Sequence, residues 1–516
     1  MQKNCILITI DCLRSDHLSC YGYNRRTTPF IDYIANHGVK FVNAFANGPN
    51  TPPAFRAILA SGYCFEFILK EPLAPETSLI SELLQKRGIK TAAIHSNPFL
   101  SAFYGYNRGW NYFKDFMNSD LDVNKKPRWT LSVLRHFLNK HLPQRFHELT
   151  YTISVLTNLQ TKPYVEAEAI TQTAISWIKS NKNSPFFLWI HYMDLHEPYI
   201  IFNAHFDRRY SKGISKLKQI RLDRTWSKIA KKGAQHLGGL DVKRGDTRKA
   251  DFITEVVDIY DDKLRYIDEN LARLFLFLEK EGLLDCTILL LTSDHGQEFL
   301  EHGGVGHGRG NLHDEIIRIP LILFGPGIGK RKEKRLVQQL DIAPTILQLF
   351  EISLPKELRG KPLISDDKKD YVISEGYLYA QTDKIYAVRT ERWKYMRTIK
   401  GNQAVLYNLE KDPKETKNVI NEAEAKAREF EAVINKHISW EKKIRMQRAL
   451  IYEKELIRMK LRKFEMRRYL PSKHRLYLDW CASPERRISN FSLLLYGFRN
   501  VQGKLNQKKL QKYLNP

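Results

Sequence analysis

Five short apolar runs, rich in β-branched residues and spaced by helical patterns, constrain this chain more than any other feature: Cys5 to Ile10, Lys90 to His95, Pro185 to His191, Thr287 to Thr292 and Ile319 to Phe324. Runs of strand length that stay apolar on every residue fit strands covered on both faces, which occur in largely parallel sheets flanked by helices. Functional groups in such sheets gather where strands end and side chains leave the core. Polar clusters fall at those ends here: Asp11, then His95 to Asn97, His191 to His196, and Asp294 with His295.

The chain of 516 residues is long enough for one large α/β unit with attachments. We expect a catalytic unit over 1–360, a basic insertion or lid at 203–249, a small antiparallel sheet at 361–420 and a basic helical extension at 421–516. The lid assignment rests on lost periodicity and clustered lysines. Segments 371–375, 384–389, 393–397 and 406–413 read as short mixed strands, and 421–468 lacks Pro and Gly and is rich in helix formers.

Net charge is +26, from 83 Lys+Arg against 57 Asp+Glu. That excess favours an anionic partner, such as a sulfated or phosphorylated substrate, a glycan or an anionic surface. The basic, aromatic carboxyl end could also grip nucleic acid, but no nucleic-acid-binding signature accompanies it, and charge runs on helices are usually solvated faces. The first apolar run is too short for a signal-peptide core, and no long uninterrupted apolar stretch appears, so the expected location is cytoplasmic. The six cysteines are scattered without a CxxC pair, as free thiols would be. Oligomeric state is not legible.

The chemistry concentrates in two segments. ITIDCLRSDH (8–17) carries a carboxylate, Asp11, at the end of a strand. LTSDHGQEFLEHG (291–303) continues through GHG (306–308), LHDE (312–315) and RIPLILFGPG (318–327), and puts Asp294 and His295 at the end of another. Carboxylate and imidazole there can close on one divalent cation, with glycines letting backbone pass nearby.

These two segments resemble the metal motifs of the sulfatase family in the alkaline phosphatase superfamily. The likeness continues through TPFIDYIAN (28–36), GIKTAAIHSN (88–97), WIHYMDLHEPY (189–199), LDIAPTI (340–346) and LYNLEKDP (406–413), in consistent order over roughly 4–420. It implies an α/β sandwich with a mainly parallel central sheet and a smaller carboxyl-side α+β subdomain, and only the helical basic tail lies outside the likeness. It also implies metal ligands at Asp11, Asp294 and His295, with Cys12 where relatives often carry a second acidic ligand. Calcium is common in the family; the imidazole and the lost oxygen leave manganese, zinc and magnesium open.

The nucleophile segment departs from the family. Where a Cys or Ser heads a Cys/Ser-x-Pro-Ser-Arg motif and becomes formylglycine, this chain has TPPAFRAILAS (51–61), with Thr51 leading and Ala54 and Phe55 replacing Ser and Arg. Threonine cannot become formylglycine, but a metal-bound hydroxyl remains a workable nucleophile. Prolines at a helix start fix its first turn, and amides there can hold an anion. By resemblance His196 matches a substrate-contacting histidine, and His307 falls near a lysine that grips the anion, with Arg309 competing for that grip. His196 or His307 would protonate the leaving alkoxide. His95 and Asn97 lie where further anion contacts are expected.

The leading expectation is hydrolysis of sulfate esters. Its rivals are hydrolysis of phosphomonoesters, phosphodiesters or phosphonates, transfer of a phospho group to a glycan or lipid, and a non-catalytic polyanion-binding protein on a retired scaffold.

Overall fold

The computed structural model describes residues 3–66, 73, 77–116, 164–201, 207–232, 247–307, 311–378 and 383–469. Strands β1 (Asn4–Ile10), β2 (Val39–Phe45), β3 (Lys90–Ile94), β4 (Tyr112–Lys114), β5 (Phe186–Tyr192) and β6 (Thr287–Ser293) appear in chain order. They are followed by the short β7 (Glu298–Phe299) and β8 (Val305–Gly306), then β9 (Arg318–Phe324) and β10 (Arg331–Gln338). The main sheet has the order β10-β2-β9-β6-β1-β5-β3-β4. From β6 through β1, β5 and β3 to β4 every pairing is parallel. Beyond β6 the sheet is mixed, because β9 runs antiparallel to both β6 and β2.

Each of the five apolar runs is a strand of this sheet, with bounds shifted by no more than a residue or so. Alternation along β1 explains why the run is apolar throughout. Cys5 and Leu7 enter a core with Phe55, Ile58 and Leu290, while Ile6, Ile8 and Ile10 enter the opposite core with Leu188, Ile259 and Ile267. Neither face meets water, so the strand is apolar but for Asn4 and Thr9, which are buried and hydrogen-bonded. Strand β10 gave no apolar signal because it is an edge: Arg331 and Lys332 are exposed and only Leu336 to Gln338 are buried.

Strands β11 (Val372–Leu378), β12 (Asp383–Arg389), β13 (Trp393–Thr398) and β14 (Ala404–Asn408) form an antiparallel sheet in that order. The helix Glu424–Tyr469 lays Ala427, Phe430 and Ile434 against Tyr386, Val388, Tyr395 and Leu406 of this sheet. That helical spacing of three and four is what packing on one face requires. The stretch read as an aperiodic insertion contains the helix Lys216–Lys232. Its basic surface hides a buried face of Ile220, Leu222 and Trp226, so the missing periodicity was a property of the exposed side. Positions 203–206 and 233–246 of that stretch, Arg309, and the tail from 470 onward lie outside the described residues. The described cysteines are unpaired. Among the described residues no helix is long and apolar enough to cross a membrane.

Candidate metal and active centre

Parallel register assembles the centre. Ile10 stands opposite Ser293 on one side and Tyr192 on the other, so the residues that follow β1 and β6, and the end of β5, converge. Asp11 donates its backbone N–H to the Tyr192 carbonyl at 2.9 Å. The Cys12 N–H donates to Asp294 Oδ1 at 3.2 Å, which ties the two strand ends together. Asp11, Asp294, His191 and His295 are all fully buried.

His295 Nδ1 donates to the Gly296 carbonyl at 2.9 Å, which leaves Nε2 as the lone-pair nitrogen. That Nε2 lies 3.3 Å from Asp294 Oδ2 and 4.0 Å from Asp11 Oδ1. His191 Nε2 lies 3.4 Å from Asp11 Oδ2, while its Nδ1 is 3.0 Å from Thr9 Oγ1. Neither Nε2 atom has a hydrogen-bond partner despite complete burial. Two buried carboxylates facing two orphaned imidazole nitrogens are a costly arrangement for a protein alone, and the donor set of a divalent cation site. The residues present therefore fit the cation.

Electrostatics separate the two carboxylates. Burial pushes Asp11 up, but His191, His196 and His295 outweigh it and hold the carboxyl well below its usual range. Asp294 is pushed up, by burial first and then by the Asp11 charge. One buried cavity thus holds an ionised carboxylate beside one that resists ionisation without added positive charge.

The helix Thr51–Ala60 brings Thr51 to this cluster, its Oγ1 donating to Asp294 Oδ2 at 3.2 Å. Asn97, at the turn after β3, donates Nδ2 to Asp11 Oδ2 at 3.2 Å and lies 3.5 Å from Thr51 Oγ1. The loop before Thr51 rests on β11: Ser374 Oγ donates to the Ala46 carbonyl at 2.6 Å and the Glu375 N–H to the Asn47 carbonyl at 3.0 Å. The small sheet thus holds the threonine in place.

The expected anion cradle of helix amides is reduced. Pro52 and Pro53 carry no N–H, and the Ala54 N–H is already bonded to the Asn50 carbonyl at 3.2 Å. His196 donates Nδ1 to the Glu197 carbonyl at 2.8 Å, and its ring centre is 5.1 Å from that of His307. Burial pulls the His196 imidazole down, but Glu197 and Asp11 outweigh it and raise it above its ordinary value. His307 stacks 4.3 Å from the His295 ring and places Nδ1 2.9 Å from Gln297 Oε1 and 3.5 Å from Cys12 Sγ.

Among the sequence candidates, Asp11, Asp294, His295, Thr51 and Asn97 share one cluster, with His196 and His307 beside it. His95 does not join it: its ring stacks 5.1 Å from Trp189 and edge-on to Phe113, deep in the sheet layer. His191 stands in the polar cluster that ends β5 but was given no role, because it lies within an apolar strand run and carries no ligand motif of its own. Phe55, where relatives carry Arg, packs edge-on to His191 at 5.0 Å and against Trp189 at 5.2 Å. The glycine after His295 serves chain packing rather than ion approach, since a Cβ on Gly296 would meet the Glu315 carbonyl oxygen at 2.0 Å.

Comparison with known proteins agrees with this geometry. The sulfatase family profile matches residues 3–352, and a profile for the C-terminal part of N-sulphoglucosamine sulphohydrolase matches 301–443. Arylsulfatase K of Bos taurus is 24% identical, covering 76% of this chain and 73% of its own. N-acetylglucosamine-6-O-sulfatase of Bacteroides thetaiotaomicron is 23% identical, covering 82% and 83%. A structure solved in complex with its substrate D-glucosamine-2-N,6-O-disulfate superposes with TM-score 0.62 at 19% identity, over 86% of this chain and 99% of that one. Phosphonate monoester hydrolase of Agrobacterium radiobacter superposes at 0.61 and 17% identity, over 85% and 96%. With the family profile spanning well over half of its length, this chain belongs to the sulfatase family and is an ester hydrolase acting on sulfate or phosphate esters.

Proposed function

We propose that the protein hydrolyses sulfate esters of an anionic glycan, with Thr51 as an unmodified nucleophile. Asp11, Asp294, His295 and His191 would hold a divalent cation, which when bound polarises the ester and favours the ionised hydroxyl. The observation that carries the reading is the Thr51 hydroxyl, donating to Asp294 Oδ2 at 3.2 Å beside Asp11 and Asn97.

That hydrogen bond gives the Thr51 proton an acceptor in the Asp294 carboxylate. Thr51 Oγ1 forms a bond to sulfur as the bond from sulfur to the leaving oxygen breaks. His196, raised by Glu197 and Asp11 and fixed through Nδ1, donates its Nε2 proton to that oxygen. Water then displaces Thr51 from sulfur, and the threonine recovers its proton. Asn97 positions the hydroxyl and shields Asp11. The relatives named for sulfated amino sugars and the net charge of +26 together support a sulfated glycan as substrate.

An unmodified threonine equally suits a phosphate or phosphonate ester, and one structural neighbour is a phosphonate monoester hydrolase. Turnover of 4-nitrophenyl sulfate, 4-nitrophenyl phosphate and a phenylphosphonate monoester separates the readings, sulfate being expected to lead. Replacing Thr51 by Ala should cost about 10³-fold or more in kcat, whereas Thr51→Ser should retain most of it. A loss under about tenfold in Thr51→Ala would exclude the covalent route.

A further inference from the structure

We infer that Cys12 is itself a metal ligand and that this centre selects a zinc-class cation over calcium, an inference that rests on the cation-binding reading above. Calcium takes about 6–8 oxygen ligands, mainly carboxylates, carbonyls and waters. The described residues supply Asp11, Asp294 and Thr51 as oxygen donors, and surround them with nitrogen and sulfur.

The sulfur is in reach. Cys12 Sγ lies 2.9 Å from Asp11 Oδ1 and 3.5 Å from His307 Nδ1. Donor atoms of Cys12, His295 and His307 lie within 4.8 Å of one another, as do those of Asp11, His191 and Asp294. The fully buried Nε2 atoms of His295 and His191, both without hydrogen-bond partners, independently indicate an electrophile here. Thiolate and imidazole suit zinc and its neighbours, whereas a dense oxygen shell suits calcium.

The backbone holds the thiol there at some cost. Cys12 has a φ of 58°, a left-handed conformation rare for a residue with a Cβ. It is pinned by its N–H to Asp294 Oδ1 at 3.2 Å and by the Tyr260 hydroxyl donating to its carbonyl at 2.8 Å. The rival role is a neutral thiol that only donates to Asp11. When the cation binds, a sulfur–metal bond forms and the thiol proton leaves to the buffer.

The test uses the full chain, stripped by chelation and loaded with cobalt(II) alone. Wild type should show ligand-field bands and a sulfur-to-cobalt charge-transfer band in the near ultraviolet. Cys12→Ser should keep the former and lose the latter. Zinc should displace cobalt at stoichiometric concentration while calcium in 10³-fold excess, a gap of about 4 kcal/mol, does not. Cys12→Ser should weaken zinc binding by about tenfold or more. X-ray absorption of the zinc-loaded wild type, which needs no variant, should show a sulfur scatterer at about 2.3 Å. Cobalt binding without a charge-transfer band, an all-oxygen and nitrogen shell, or displacement by equimolar calcium would each overturn the role of Cys12 while leaving the centre as a cation site. Failure of any divalent ion to bind the folded chain would instead overturn the reading beneath it.

Discussion

Two buried clusters in this protein are built from the same residue types, and they behave differently. At the ends of β1, β5 and β6, Asp11 and Asp294 face His191 and His295, whose Nε2 atoms lack hydrogen-bond partners. Beneath the small sheet, Glu375 and Glu441 share one imidazole: His437 Nε2 lies 3.0 Å from Glu375 Oε2 and 3.1 Å from Glu441 Oε1. There the chain supplies most of the remaining partners, and Glu441 Oε1 alone is left with that ion pair and no hydrogen bond. Tyr386 donates to Glu441 Oε2 at 2.9 Å, the Phe65 N–H donates to Glu375 Oε1 at 2.5 Å, and Arg445 lies 3.8 Å from Glu441. The first cluster resembles a site because its nitrogens are left over. The second is a strut, because one imidazolium and its neighbours answer three of the four carboxylate oxygens with hydrogen bonds and the fourth with an ion pair.

The largest expected effect tests the first half of that contrast. Asp294→Asn should lower kcat/KM by at least about 10³-fold, since on the proposed reading it removes a cation-holding carboxylate and the acceptor of the Thr51 hydroxyl. In chelator, however, its thermal midpoint should equal or exceed that of the parent, because one of two carboxylates that burial and each other penalise is gone. Turnover together with melting of the metal-free protein measures both. If the variant stayed active but melted several degrees lower, the centre would be a strut and the contrast would collapse.

The complementary change is His437→Ala. It leaves Glu375 and Glu441 buried without their shared counter-charge, and loss of one partner of a buried ionic group costs about 3–5 kcal/mol. Urea unfolding should show that loss, while kcat/KM of the folded protein stays within about threefold. A collapse of activity would sharpen the picture differently, because Glu375 also bonds the Asn47 carbonyl ahead of Thr51. The two clusters would then be mechanically linked through β11.

The same contrast explains what the sequence made legible. Asp11, Asp294 and His295 stand just past apolar runs, so strand-end geometry alone brings them together, and the central parallel sheet follows from runs apolar on both faces. Thr51 was found only through the order of family motifs, because a Thr-Pro-Pro helix start has no chemistry of its own. His191 pairs with Thr9 inside the sheet, and an imidazole within a strand is indistinguishable from core until its neighbours are known. His437 and Glu441 are one turn apart on a helix full of charge, which reads as a solvated face. Their burial depends on Glu375, 62 residues from His437, and no local pattern encodes that meeting. The edge strand β10 and the helix Lys216–Lys232 were missed for the converse reason, since their exposed residues outvote the few that pack.

The smallest expected effect is in pH dependence, and it tests whether the strut is ionic. Burial pulls His437 down, but its bonds to Glu375 and Glu441 prevail and push the imidazole from 6.5 up to about 9. A raised basic group stabilises the fold fully below its unfolded value and loses that contribution as pH rises through the folded one. Glu375, raised by burial and then by Glu441, acts in the same direction, whereas Glu441 is lowered, its bonds to His437 and Glu375 outweighing burial, and loses its contribution only toward acid. The advantage of wild type over His437→Ala in urea should therefore be widest just below pH 6.5 and shrink as pH rises from 6.5 through about 9. A gap that stayed constant across that window would mean a neutral imidazole held by hydrogen bonds alone. The second cluster would then owe its stability to geometry, and leftover donor capacity, not charge balance, would be the only property separating it from the first.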